Sequence, residues 1–396
     1  MTELGDLTNV VAYQSSGSQI HREFASTLKS VTNAGDPRFE YDPATDGQSE
    51  GLLIESQVSN LVTYSEDFSN AFYGKDKLTV DSDVAVAPDG TLTASALRVD
   101  GTAASAHRIF LNYATGGATP QTFSIFAKAG SLSWLALNFK GTGVFTSSSA
   151  YFNLSDGTTG TVASGLTAKI SDCGNGWYRC SITLTALSSG TGAAQVYLAS
   201  ANDDVTIDGN SYDHILCWGA QVEANTSAPS SYIKSNSGSS TTKSADSCSV
   251  VDATLFDNGG GTLFAEVSPN NLGSTFSGIA SINAGGLSDR VELVFNNAAA
   301  RATVVADGTT YSTQSGGSYT AGNAIKSCLT YANDSVSYYV NGTEIGTTDT
   351  SSVMPVINTL SVGNTATGSW PLNGHMRRVA VYSDSISETS AAALTS

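Results

Sequence analysis

The sequence predicts an all-β chain: two tandem β-sandwich (jelly-roll) domains preceded by an extended N-terminal arm. Three observations lead there. Charged residues make up only 13% of the 396 residues, about half the usual share, and Gly, Ser and Thr take their place. Short segments with period-two alternation recur along the chain, separated by turn dipeptides. No strong amphipathic helix pattern occurs anywhere. A hydrophobic content of 40% is enough to fill real cores, and 8 prolines are too few for a Pro-rich disordered chain.

Residues 1–50 do not read as a domain. They hold a short strand at 9–13, a polar run at 15–19, the segment 36–43 (DPRFEYDP) and an Asp46-Gly47 turn. Apolar residues are sparse and turn signals dense. Such an arm is ordered only by lying on its own sandwich, a sister subunit or an assembly partner; otherwise it is a floppy tail.

The first sandwich is assigned to 51–242. Segment 51–55 (GLLIE) opens it and 60–70 continues it, with Phe72 and Tyr73 adding bulk. Strands are expected at 92–99, 108–112, 122–128 (TFSIFAK), 133–139 (SWLALNF) and 151–154, the last turning at Asp156-Gly157 into Thr161-Val162. The hairpin at 170–183 (ISDCGNGWYRCSIT) organises the domain. Asn175-Gly176 is a two-residue turn signal, because both central residues of a type I′ turn need positive φ. With the turn centred there, Cys173 faces Tyr178. Tyr178, Cys180 and Ile182 share the core face, and Trp177, Arg179 and Ser181 share the outer one. Strands at 195–200 and 214–223 (HILCWGAQVE) follow; alternation puts Leu216, Trp218, Ala220 and Val222 on one face.

Residues 236–247 (NSGSSTTKSADS) form the clearest linker by composition, with the boundary near Thr242. The second sandwich, 243–396, reads as strands at 248–250, 262–268, 290–295, 301–306, 324–331, 335–340, 343–346, 360–363 and 374–382 (GHMRRVAVY). Asn341-Gly342 makes a second hairpin turn.

A net charge of −17, from 35 acidic and 18 basic residues, argues against nucleic acid as a partner, since phosphate binding needs a basic footprint. The five cysteines are odd in number and dispersed, which fits buried free thiols better than a disulfide framework. The absence of CxxC and the scattered histidines argue against zinc. No run of apolar residues reaches the roughly 18 of a membrane span, so no membrane insertion is expected. No secretory signal is legible at the start, so the protein is expected to stay where it is made or to leave by lysis or assembly.

No catalytic constellation emerges. Glu50 with Glu55 could be offered as paired carboxylates, but they flank an apolar strand and are expected to face solvent. Asp203, Asp204 and Asp208 sit in a turn-rich loop; calcium would suit such oxygens, but no EF-type spacing exists, and whether they bind it is left open. His21, His107, His214 and His375 have no nucleophile at recognisable spacing. No cofactor and no metal are expected. Sugar binding needs exposed aromatic faces beside amides and charged groups. The candidates are Asn175, Trp177 and Arg179 in the first domain, and Trp370, Asn373 and His375, in the loop SWPLNGH, in the second. The alternative for each is an aromatic shielding a sheet edge or buried by a neighbouring subunit.

Two sets of residues resemble known families. The runs 37–43 (PRFEYDP), 51–55 (GLLIE), Asn60-Leu61 and 64–70 (YSEDFSN) resemble the opening of phage and prophage virion proteins. So do 126–130 (FAKAG), 174–179 (GNGWYR), 218–223 (WGAQVE) and 231–233 (SYI), so this resemblance runs from Pro37 to Ile233. It implies a carbohydrate-binding-module-like sandwich used in tail fibres, tail-associated proteins and head appendages. The runs 261–264 (GTLF), 338–342 (YYVNG), 372–374 (LNG) and 378–382 (RVAVY) are similar to laminin-G/concanavalin-like jelly rolls. Concanavalin-type glycosidases carry a Glu-x-Asp-x-x-Glu strand, and this chain has none.

The resemblance implies a non-catalytic virion structural protein, in a tail fibre or appendage or a head decoration, made in the host cytoplasm and displayed on the exterior of the particle. Its partners would be other virion proteins, further copies of itself (a trimer by family analogy) and host surface polysaccharide. The competing classes are a concanavalin-type glycan-degrading enzyme and a bacterial surface adhesin; the adhesin should carry an export signal. A carboxylate pair lining a deep cleft would favour the enzyme.

Overall fold

The computed structural model describes residues 13–14, 19–22, 28–31, 37–42, 48–270, 276–297 and 299–396. Among these the regular secondary structure is nearly all strand, as the alternation predicts, with one short 3-10 turn and one short C-terminal α-helix, Glu388–Thr395. The helix was not anticipated; Ser387 caps it, its hydroxyl accepting from the Ser390 amide. Except for Tyr13, the expected strand at 9–13 lies outside the described residues, as do most of the polar run at 15–19 and the Asp46-Gly47 turn.

The first sandwich packs two six-stranded antiparallel sheets. One has Trp134–Lys140, Gly190–Ala199 and Arg108–Thr115 at its centre. The other runs from Thr167–Asp172 through Trp177–Thr185, Pro120–Ala129, His214–Ala224 and Ala94–Val99 to Leu78–Ala85. Their facing sides enclose Leu111, Phe123, Ile125, Leu137, Phe152, Cys180, Ile182 and Val222. The organising hairpin forms with Asn175 at φ 53° and Gly176 at φ 76°, and the Trp177 amide donates to the Gly174 carbonyl at 2.9 Å. Its register is one residue away from expectation: Tyr178 faces Asp172, because Gly174 bulges out at φ 77°.

Strict alternation fails once on the 214–224 strand. Cys217, Ala220 and Val222 reach the main core, whereas Trp218 points the other way. Between them lies a bulge: Ser124 pairs with Gln221 and Phe126 with Trp218, leaving Gly219 extra at φ 64°. A Cβ there would stand 2.9 Å from the Phe126 ring. Trp218 therefore anchors a second small core on the outer face, with Phe126, Trp177, Cys173 and Tyr232.

The second sandwich packs two seven-stranded sheets around Leu263, Val267, Ile282, Leu293, Val304, Leu329, Tyr338 and Val381. Its construction corrects the expected domain assignment. The segment expected to open the first sandwich belongs to the second: Gln48–Ile54 pairs with Gly374–Tyr382, and Phe39–Asp42 pairs with Gln48–Ile54 at the sheet edge. Leu52 and Ile54 are fully buried in that core. The first sandwich is thus inserted between the second sandwich's own strands. The described parts of the arm all lie on this chain: Gln19–Arg22 pairs with Tyr232–Ile233, and Tyr13–Gln14 with Ser247–Val251.

The stretch read as a linker is likewise built in. Thr241–Lys243 pairs with Val58–Asn60, and Lys243 and Asp246 are buried. They complete an ion network at the junction. The Arg38 guanidinium contacts Glu55 at 2.5 Å and also Asp246, and Lys243 Nζ lies 3.6 Å from Glu55 and 3.5 Å from Asp246. The Ser231 amide donates to Glu55 at 2.8 Å. Glu55 therefore does not face solvent. Two cations and two carboxylates neutralise one another, which is what makes burial of four charges tolerable.

Candidate functional site

A cleft of about 860 Å³ opens where the two sandwiches meet. One wall comes from the first sandwich: Lys169 and Ser171 on one strand, Arg179, Ser181 and Thr183 on the next, and the segment 227–231. The other comes from the second: Glu40, Glu50 and Leu53 from the arm strands, Ser268 and Asn270, and His375 and Arg377. Glu55 of the junction ion network also lines the cleft.

Two bulges on neighbouring strands aim the second wall. On the arm, Glu40 pairs with Gly51 and Tyr41 with Ser49, so Glu50 is the extra residue. Regular alternation would put Glu50 on the core side with Leu52 and Ile54; the bulge turns it to the cleft side with Leu53. Gly51 must be glycine: its φ is 107°, and a Cβ would meet the Met376 carbonyl oxygen at 2.3 Å. On the partner strand, Glu266 pairs with Arg378 and Val267 with Met376, leaving Arg377 extra. Met376 and then Val379 and Val381 fill the core, while His375 and Arg377 border the cleft.

His375 is buried, and its Nε2 donates to Glu40 Oε2 at 2.8 Å, with Glu50 Oε2 at 3.7 Å. Burial works against its protonation, but the hydrogen bond and charge of Glu40, with the charges of Glu50 and Glu55, outweigh it and raise the imidazole above its ordinary value. Glu55 goes the other way. Burial alone would lift its carboxyl; the charges of Arg38 and Lys243 and the Arg38 hydrogen bond overcome this and hold it well below the usual carboxylate range.

Arg179 is fixed across the cleft. Its guanidinium donates to the Ser230 carbonyl at 2.6 Å and to Ser124 Oγ at 2.9 Å, and lies over the Phe126 ring at 5.2 Å. The sequence placed it on the outer face beside Trp177, and both are there. Trp177, however, offers no exposed face: it is 2% exposed, and its Nε1 donates to the Val86 carbonyl at 3.1 Å. The outer core with Trp218 covers it. Asn175 is an exposed turn residue whose carbonyl accepts from Lys128 Nζ at 2.6 Å.

The three candidates in the second domain part company. Trp370 is 52% exposed and does not line the cleft. Asn373 Oδ1 accepts from the Ser56 amide at 2.6 Å, joining the sandwiches beside a smaller recess of about 350 Å³. Only His375 reaches the cleft. Asp203, Asp204 and Asp208 are exposed, and Asp204 accepts from the Thr206 amide within its own turn. Among the described residues the carboxylates that converge with a histidine are Glu40 and Glu50. The paired carboxylates are thus Glu40 with Glu50, not Glu50 with Glu55. Nothing in the sequence spacing links Glu40 to His375; the only signal is the Phe39-in, Glu40-out alternation of a short arm strand.

Residues 236–392 match the family model Laminin_G_3, the concanavalin A-like lectin/glucanases superfamily. This match covers the second sandwich but not its arm strands. No curated protein matches the chain. Similar solved structures include the CBM40 module of Ruminococcus gnavus IT-sialidase bound to α2,3-sialyllactose, at 21% identity, 36% of this chain, 85% of that chain and a TM-score of 0.33. Another is domain 4 of AbnA, a GH43 extracellular arabinanase from Geobacillus stearothermophilus, in complex with arabinotriose, at 17%, 38%, 73% and 0.28. A third is the LG4-5 pair of the mouse laminin α1 chain, at 10%, 69%, 84% and 0.24.

Proposed function

We propose that this is a non-catalytic glycan-binding display protein whose ligand lies in the cleft between its sandwiches. The observation that carries the reading is the composition of that cleft. Hydroxyls from Thr167, Ser171, Ser181, Thr183 and Ser230, the amide of Asn270 and charged groups of both signs line a space within the usual size range of small-ligand sites. Polyhydroxylated ligands need many fixed donors and acceptors. Arg179, held by two hydrogen bonds and a ring, supplies rigid donors at little entropic cost. The concanavalin A-like match over 236–392 supports the same class.

The resemblance of residues 37–233 to virion proteins supports placing this protein on the exterior of a phage particle, among other virion proteins and as an oligomer, a trimer by analogy. Immunogold labelling of particles tests the location. A purified protein that remains monomeric at high concentration contradicts the oligomer.

A hydrolase is the second reading, and the Glu40–Glu50 pair in the cleft is what favours it. A glycosidase acid must present a proton to the leaving oxygen. Glu40 instead accepts one from His375, which favours the binding role. The two readings separate on one protein sample. Glycan-array screening followed by calorimetry is expected to give binding that Arg179→Gln weakens at least tenfold, with no new reducing ends from the bound polysaccharide. Turnover abolished by Glu40→Gln or Glu50→Gln would overturn the non-catalytic reading, and binding to no glycan would overturn the ligand class.

A further inference from the structure

The group at the back of the second wall brings two carboxylates onto one imidazole nitrogen. Glu40, Glu50 and His375 come from three adjacent strands, and one ligand atom of each lies within 4.8 Å of the other two. Two donors that share an ion at about 2.1 Å each stand roughly 3 to 4 Å apart. The two imidazole–carboxylate separations, 2.8 and 3.7 Å, already match that spacing.

An independent observation points to the same spot. Ser268 is 5% exposed, and its Oγ has no hydrogen-bond partner. It sits directly opposite His375 in the strand register and borders the cleft. Directly paired residues project from the same face of a sheet, so this hydroxyl neighbours the imidazole. A buried hydroxyl left unpaired is destabilising, and an ion, or water bound to it, would satisfy this one.

We propose that Glu40, Glu50 and His375 bind a divalent first-row metal ion of the zinc or manganese class, with Ser268 reached directly or through a metal-bound water. Two carboxylates and an imidazole, with no thiolate, suit those ions. Calcium, which takes six to eight oxygen ligands, fits the imidazole poorly. The bulge at Glu50 and the forced glycine beside it are the backbone devices that bring the second carboxylate to the site. The remaining coordination positions face the cleft, which gives both an entry path and places for a ligand's hydroxyls.

The site stands or falls without reference to any glycan, so metal alone tests it. The full-length protein is stripped with chelator, exchanged into chelator-free buffer and titrated with zinc or manganese chloride by calorimetry; cobalt absorption serves as a spectroscopic probe of the ligand set. The expected result is one equivalent bound and visible cobalt bands. Glu50→Gln and His375→Asn should each weaken binding at least tenfold and alter the cobalt bands, and Asp204→Asn should leave both unchanged. No stoichiometric binding, or the same affinity in wild type, Glu50→Gln and His375→Asn, would overturn the proposal. Should His375→Asn fail to fold, Glu50→Gln, which removes a partly exposed carboxylate, keeps the test decisive.

Discussion

The two sandwiches differ in how the chain builds them. The strands of the first follow one another in a single stretch, from Gly74–Asp76 to His214–Ala224. The second is discontinuous: it takes Tyr13–Gln14, Phe39–Asp42 and Gln48–Ile54 from before the first sandwich and its other strands from after Thr241–Lys243. The first can fill its core from local sequence. The second needs a strand that reaches it across an entire inserted domain, and the junction this creates carries the buried ion network and the cleft. In this protein the cleft is a by-product of the insertion, not of either sandwich alone.

Separating the two sandwiches should affect them most unequally. Residues 56–243 are expected to melt cooperatively on their own. Residues 243–396, lacking Gln48–Ile54, leave the Gly374–Tyr382 strand as an unpaired edge over an open core and are expected to aggregate or lose cooperative melting; a peptide spanning 37–55 added in trans should restore it. Circular dichroism melts check both. A smaller effect follows from Arg38→Met, which leaves the network with two carboxylates, Glu55 and Asp246, and one cation, Lys243; about 3–5 kcal/mol is expected, read from urea unfolding. Leu52→Ala, a cavity in the second core, should cost about 2–5 kcal/mol and leave the first sandwich's unfolding transition unmoved. The smallest effect is on pH. The folded pKa of His375 is raised above 6.5, so its contribution is present below that pH and lost as pH rises through the folded value. The folded pKa of Glu55 is depressed below 4.5, so its contribution is present above 4.5 and lost as pH falls through the folded value. The Glu55 and His375 contributions in metal-free protein should therefore both be fully present between about pH 4.5 and 6.5; Glu55→Gln and His375→Asn variants whose stability differences from wild type stay constant outside that window would contradict these assignments.

Much of the fold was legible because strand alternation and turn chemistry are local. Asn175-Gly176 and Asn341-Gly342 both form turns with positive φ, and 374–382 is a strand over the expected span. What was not legible falls at bulges and at long-range pairing. Gly219 flips Trp218 away from Ala220 and Val222, and Glu50 and Arg377 are each one residue more than their partner strands supply. A single extra residue leaves no mark on composition, yet it decides which side chains share a face. The pairing of residue 52 with residue 376 leaves none either. Composition misled at 236–247: small polar residues read as a flexible spacer, whereas Lys243 and Asp246 are buried because Arg38 and Glu55 meet them there. Of the candidate site residues, Arg179 and His375 border the cleft, Trp177 is covered by an outer core that alternation alone could not foresee, and Trp370, Asn373 and Asn175 lie elsewhere.

Hydrogen–deuterium exchange on the full-length protein, with and without a glycan ligand found by array screening, tests the cleft most directly. Protection is expected together at 167–183, 227–231, 268–270 and 375–377, one set from each sandwich. Protection confined to the exposed Trp370 loop, or to the surface of a single sandwich, would contradict it.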